Sequence, residues 1–104
     1  MKHTAILLLV IAVASMTALP VFADVAKLAQ DKGCIACHEV ASKKVGPAYQ
    51  EVAAKYKNDA GAASALSGKI KAGGSGVWGQ IPMPPQTTLS DDEVQTLVKW
   101  ILSQ

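Results

Sequence analysis

Near the C-terminal end, the apolar positions fall into one helical stripe. Val94, Leu97, Val98 and Ile101 recur at i, i+3, i+4 and i+7. Ser90 stands just ahead of the stripe with Glu93 three residues on, the pairing of a capping box. Asp91 and Asp92 suit the positive end of the helix dipole. Three earlier segments carry the same period. Val25–Lys32 is a short helix with Val25, Leu28 and Ala29 at helical spacing, and Gly33 ends it. Ala48–Lys57 places Tyr49, Val52, Ala53 and Tyr56 on one face, with Pro47 just before its start. Asp59–Ala72 is Ala-rich and turns Leu66 and Ile70 inward. Gly73–Leu89 is a loop. No alternating pattern rises to a strand, so the pattern predicts an all-α chain of about four helices. The last helix is expected to pack across the first, with Trp100 at or near the contact.

The N-terminus is apolar in a different way. Lys2 precedes an apolar run from Ala5 to Ala14, and Val21-Phe22-Ala23 ends the segment with Val21 and Ala23 at the two small positions before a cut. A basic tip, an apolar middle and a small-residue end make a secretory signal peptide. Residues 1–23 are assigned to it, with cleavage after Ala23 and a domain of residues 24–104. The alternative is an uncleaved anchor, because Ala5–Ala23 approaches the length of a membrane span. Ser15, Thr17 and Pro20 in its second half argue against that. Either way, the domain lies outside the cytoplasm, and the reading places it in the periplasm.

Charge excludes several functions. The chain has ten Lys, no Arg and eight Asp or Glu, and loss of Lys2 leaves nine basic residues against eight acidic. That balance is unlike a nucleic-acid binder. Gly73, Gly74, Gly76 and Gly79 are dense, but no Gly-Lys-Ser/Thr follows them to form a phosphate loop. So small a domain, with one Phe and two Trp in the whole chain, needs a staple such as a disulfide, a metal or a cofactor.

The two cysteines supply one. Cys34-Ile35-Ala36-Cys37-His38 is the C-x-x-C-H attachment signature of c-type haem. Two thiols three residues apart sit about one helical turn from each other and can add to the two vinyl groups on one porphyrin edge. The next residue then offers its imidazole to the iron. Three rivals share the Cys spacing. A thioredoxin-like pair needs a βαβ setting, a closed zinc site needs four ligands, and a disulfide across so tight a loop stabilises little. The second axial ligand follows by subtraction. His3, Met1 and Met16 fall in the signal segment, which leaves His38 and Met83 as the one His and one Met of the domain. Met83 sits in Ile81-Pro82-Met83-Pro84-Pro85, where prolines fix φ and remove donors, so this stretch is a stiff extended loop. Met83 as a mere gap filler is the plain alternative.

Longer motifs carry a resemblance. Lys32-Gly33-Cys34, Val45-Gly46-Pro47-Ala48-Tyr49, Gly76-Val77-Trp78-Gly79, Ile81-Pro82-Met83-Pro84-Pro85 and Ser90-Asp91-Asp92 resemble the small bacterial class I cytochromes c of the c-551/c-552 group, also called cytochrome c8. The resemblance covers essentially the whole of residues 24–104. It implies the small class I cytochrome c fold wrapped around one covalent haem c, with Cys34 and Cys37 as thioether links and His38 and Met83 as axial ligands. It further implies that the carbonyl of Pro47 accepts a hydrogen bond from His38. The indole of Trp78 would reach a haem propionate, with ordinary packing as the alternative. Lys69 stands near a propionate where relatives often have Arg. Gln86 stands where they often have an Asn that bonds near the Met sulfur.

The implied activity is one-electron transfer between respiratory partners, denitrification included, by a monomer with no catalytic residues that binds neither nucleic acid nor, after cleavage, membrane. Upstream would stand a quinol-oxidising complex or another cytochrome; downstream, a nitrite reductase, a peroxidase or a terminal oxidase. Ile35, Ala36 and Val45 would form a docking patch rimmed by Lys32, Lys43 and Lys44, lysines that are otherwise a solvated surface. Three other classes remain: a haem peroxidase or gas sensor, which needs Met83 absent or labile, a subunit of a larger oxidoreductase, and a membrane-tethered carrier.

Overall fold

The computed structural model describes residues 10–15 and 22–104. Most of the expected export segment, residues 1–9 and 16–21, lies outside the described residues. Four α-helices follow in chain order: α1 (Phe22–Asp31), α2 (Tyr49–Lys55), α3 (Ala62–Ala72) and α4 (Asp91–Leu102), with a short 3-10 turn at Cys34–Ala36. Among the described residues the sole β-type pairing is an isolated antiparallel bridge between Gly74 and Met83. The all-α expectation holds.

Helix boundaries moved where local hydrogen bonds overrode the apolar period. α1 begins at Phe22 rather than Val25, and Asp24 falls in its first turn, where an acidic side chain suits the dipole. α3 begins at Ala62 rather than Asp59. The Asp59 carboxylate accepts from the Gly61 N–H at 2.8 Å, an Asx turn that competes with helix. α2 is shorter than expected at both ends. Ala48 is extended and serves as its N-cap, and Asn58 has a φ of 63° just beyond its end. Glu51 accepts from the Ala48 N–H at 3.1 Å, but Ala48 has no oxygen to offer in return.

α4 is the element on which the others converge: it packs against α1, α2 and α3. Its stripe is buried, with Val94, Leu97 and Val98 at 0, 2 and 1 % exposure. Leu97 and Trp100 join Val25, Ala29 and Tyr49 in one apolar cluster, so α4 does cross α1 with Trp100 at the contact. Val94 and Val98 join Val52, Leu66 and Ile70 in a second. Leu89 and Ile101 pack against both. The start of α4 is fixed by the full capping box: Ser90 Oγ accepts from Glu93 N–H at 3.1 Å, and Glu93 accepts from Ser90 N–H at 3.0 Å. Lys71, at the end of α3, pairs with Asp91.

Two carboxyls at this corner are held below their usual range: Asp91 by its hydrogen bond and charge pairing with Lys71, and Glu93 chiefly by the Ser90 N–H. A carboxylate with a lowered folded pKa stabilises fully above its unfolded value and loses that contribution as pH falls through the folded one. Stability should therefore be flat from neutral pH down to about 5 and should fall below about 4. In urea unfolding followed by circular dichroism, Asp91→Asn should be less stable than the parent at neutral pH and should lose less on acidification. An identical acid slope in the variant would remove Asp91 from the account.

Candidate functional site

The turn that carries the cysteines is built by its own backbone. The N–H groups of Cys37 and His38 both donate to the carbonyl of Cys34, at 3.2 and 3.0 Å. Both thiols are unpaired and half-buried, and burial pushes the Cys34 thiol up from its ordinary pKa. The following loop folds back on this turn, with Gly46 N–H donating to Cys37 O at 2.8 Å. The first N–H groups of α2 have no partners within the helix. Tyr49 N–H and Gln50 N–H instead donate to Glu39 O and Val40 O, at 2.9 and 3.0 Å, and so tie α2 to the residues just after His38.

His38 is held at three places. Its Nδ1 lies 2.8 Å from the carbonyl oxygen of Pro47. A carbonyl can only accept, so the proton sits on Nδ1 and the Nε2 lone pair is left for a metal. Gly46 presses on the ring: a Cβ there would stand 2.5 Å from Cε1 and 2.9 Å from Nδ1, closer than real Cβ contacts come. Tyr49 stacks on the imidazole with ring centroids 5.4 Å apart and an interplanar angle of 21°. Burial pushes the Tyr49 phenol well above its ordinary value, so it stays protonated and neutral.

Met83 is held by main chain. Its N–H donates to Gly74 O at 2.8 Å, and Gly74 N–H donates back to Met83 O at 3.0 Å. Gly73 makes that approach possible. Its φ is 68°, and a Cβ there would run into Met83 O and lie 2.8 Å from Pro85 N, all backbone. Gln86 N–H then donates to Ile70 O at 2.9 Å and anchors the loop on α3. The Gln86 amide itself donates to Pro84 O at 3.0 Å.

These segments border one open cleft with about 1240 Å³ of empty space, its mouth included. The expected haem-site residues all line it: Cys34, Cys37, His38 and Met83, together with Pro47, Lys69, Trp78 and Gln86; Ile35, Ala36, Lys32, Lys43 and Lys44 of the expected docking patch do not. Its floor is apolar, made by Val52, Leu66, Ile70 and Leu97. Trp78 is 39 % exposed at the mouth, with the Lys55 ammonium 5.7 Å over its ring. Among the described residues no three His, Cys, Asp or Glu are grouped to hold a metal ion, so the zinc reading finds no further ligands. Two thiols, an oriented imidazole and a thioether border this apolar slot, a combination whose chemistry fits a covalently attached haem. Gly46, Gly73 and Tyr49 had no assigned role in the sequence, although Gly46 and Tyr49 flank Pro47 in one quoted motif. Their roles depend on contacts between distant segments.

The cytochrome c family profile matches residues 22–104. Cytochrome c-551 of Pseudomonas aeruginosa is 58 % identical over 77 residues, 74 % of this chain and 73 % of its own. Cytochrome c-552 of Hydrogenobacter thermophilus is 57 % identical over 77 residues, 74 % of this chain and 78 % of its own. The crystal structure of Nitrosomonas europaea cytochrome c552 superposes with a TM-score of 0.72 at 55 % identity, covering 75 % of this chain and 96 % of that one.

Gly46→Ala tests the seat of His38. The added methyl should displace the ring and break the bond to Pro47. The Nδ1 proton, protected from exchange in the parent, should then exchange at least tenfold faster by NMR. Unchanged exchange would mean that the loop yields and the ring does not.

Proposed function

The chain belongs to the cytochrome c family and carries one covalently bound haem c, and on that premise we propose that it is a soluble periplasmic carrier of single electrons, with Cys34 and Cys37 as the thioether links and His38 and Met83 as the iron ligands. It is an electron-transfer protein, not an enzyme. One observation carries the ligand assignment. His38 and Met83 enter the same cleft from separate segments, and each is locked by backbone groups that nothing else in the cleft uses.

When bound, the haem supplies an iron that alternates between ferrous and ferric states, and a Met ligand favours the ferrous one. The chain's own residues set the conditions. Pro47 O holds the Nδ1 proton and keeps Nε2 a strong, fixed donor. The Gly74–Met83 pairing fixes the main chain from which the thioether projects. Val52, Leu66, Ile70 and Leu97 keep water from the floor of the cleft. With His38 and Met83 both engaged, no iron position would be left for oxygen or peroxide. Lys69 and Trp78, which line the cleft, would offer an ammonium and an indole N–H to the acidic edge of the group.

Partners would meet the chain at the rim near the cysteines. Ile35 and Val45 are each nearly half exposed there. Lys44 donates to Ile35 O at 3.1 Å, which fixes a positive charge beside the apolar patch. An apolar patch with pinned positive charge suits brief encounters with acidic redox proteins. In a respiratory chain those are a quinol-oxidising complex or another cytochrome on one side and a nitrite reductase, peroxidase or oxidase on the other. The export signal read in residues 1–23 supports the periplasmic reading. Among the described residues no helix is long and apolar enough to cross a membrane, and cleavage after Ala23 would leave Asp24 leading α1.

The visible spectrum tests the ligand pair. The parent protein should be low-spin in both states, with the weak far-red band of a Met-ligated ferric haem. Met83→Ala should be high-spin and should bind cyanide at once; a low-spin spectrum with that band in the variant would sink the assignment. Intact mass of the secreted holoprotein tests the export reading. It should equal residues 24–104 plus one haem, and a mass that retains residues 1–23 would replace the free carrier with a tethered one.

A further inference from the structure

Tyr49 is the one aromatic ring in contact with His38 that the ligand assignment leaves unexplained. It opens α2 and is 5 % exposed. Its backbone N–H is bonded to Glu39 O, the carbonyl of the residue after His38, so ring and imidazole are registered by the same joint. Its ring lies 5.4 Å from the imidazole at 21°. Behind it stands Trp100 of α4, edge-on at 5.0 Å and 66°. Val25, Ala29 and Leu97 complete the cluster around this pair. The imidazole therefore ends a stack of three rings whose far member is set in the helix that organises the whole core.

We propose that Tyr49 is a positioning residue that fixes the plane of the His38 imidazole, and so its rotation about the bond from Nε2 to the iron. The hydrogen bond to Pro47 anchors one atom of the ring, Nδ1, and a ring held at one atom still swings about that atom. Contact from Gly46 falls on the Cε1 side and blocks approach there. A broad aromatic face nearly parallel to the imidazole supplies the remaining constraint, because tilting the imidazole would lift it off the stack. Trp100 prevents Tyr49 from following it. The role belongs to the aromatic face, so the phenol oxygen is dispensable.

This inference rests on His38 being an iron ligand, and the test separates the two. The four haem methyl resonances of the ferric protein are spread by the unpaired electron in a pattern set by the planes of the axial ligands. Proton NMR should show that Tyr49→Phe keeps the parent order and spread of these shifts. Tyr49→Met, which keeps bulk but not the flat face, should change the order or compress the spread by at least a third. If Tyr49→Met does not accumulate as holoprotein, Trp100→Leu carries the test. It withdraws the backing without touching His38 and should move the shifts in the same direction. Parent shifts in the variant that folds would overturn the proposal, even with lowered stability. A parent protein with no low-spin His/Met pattern would overturn the ligand assignment instead.

Discussion

The hydrogen bond from His38 Nδ1 to the Pro47 carbonyl is the constraint around which the site is arranged. It selects the tautomer, aims the free nitrogen and fixes the distance between the cysteine turn and the start of α2. Other features serve it. Gly46 must lack a side chain so that the ring can lie against the loop. Pro47 has no N–H, and its fixed φ leads the chain into the cap of α2. The first donors of α2 are satisfied by Glu39 and Val40, so the same few residues close the loop, cap the helix and seat the imidazole.

The core is organised around a space. Two apolar clusters meet along α4, and Leu89 and Ile101 bridge them. Between the cysteine turn, α3 and the Met83 loop, side chains of both clusters also face a cleft. A domain of this size has little apolar area to spare, and leaving such walls wet would be costly. The covalent group completes the core as well as the redox centre. The hydrogen bonds that hold the edges of this site are mostly between backbone groups.

Much of this was legible in the sequence, for physical reasons that differ by element. α4 was clear because a capping box and a buried stripe point to the same boundaries. The cysteine turn was clear because covalent haem attachment demands fixed spacing, and Met83 stood out because prolines bracket the one Met of residues 24–104. The starts of α1 and α3 were not. Residues with weak apolar period, such as Ala23 and Asp24, joined α1, while Asp59 spent its side chain on a turn. Tyr49 read simply as one residue of an apolar face, since nothing in a local pattern shows that its ring will meet His38. Gly73 was hidden for the same reason. Its requirement arises from the carbonyl of a residue ten positions later.

The pairing of Gly74 with Met83 has a consequence for how such a protein can diverge. The thioether is fixed by peptide groups, which every sequence possesses, and by a glycine that crowds out any alternative. The Gln86 side chain lies outside that pairing, bonding instead to Pro84 O farther along the loop. A substitution at Gln86 can thus change the polarity beside Met83 while the main-chain pairing stays as it is. Adaptation to a different electron chain can proceed by single substitutions at the rim of a fixed centre.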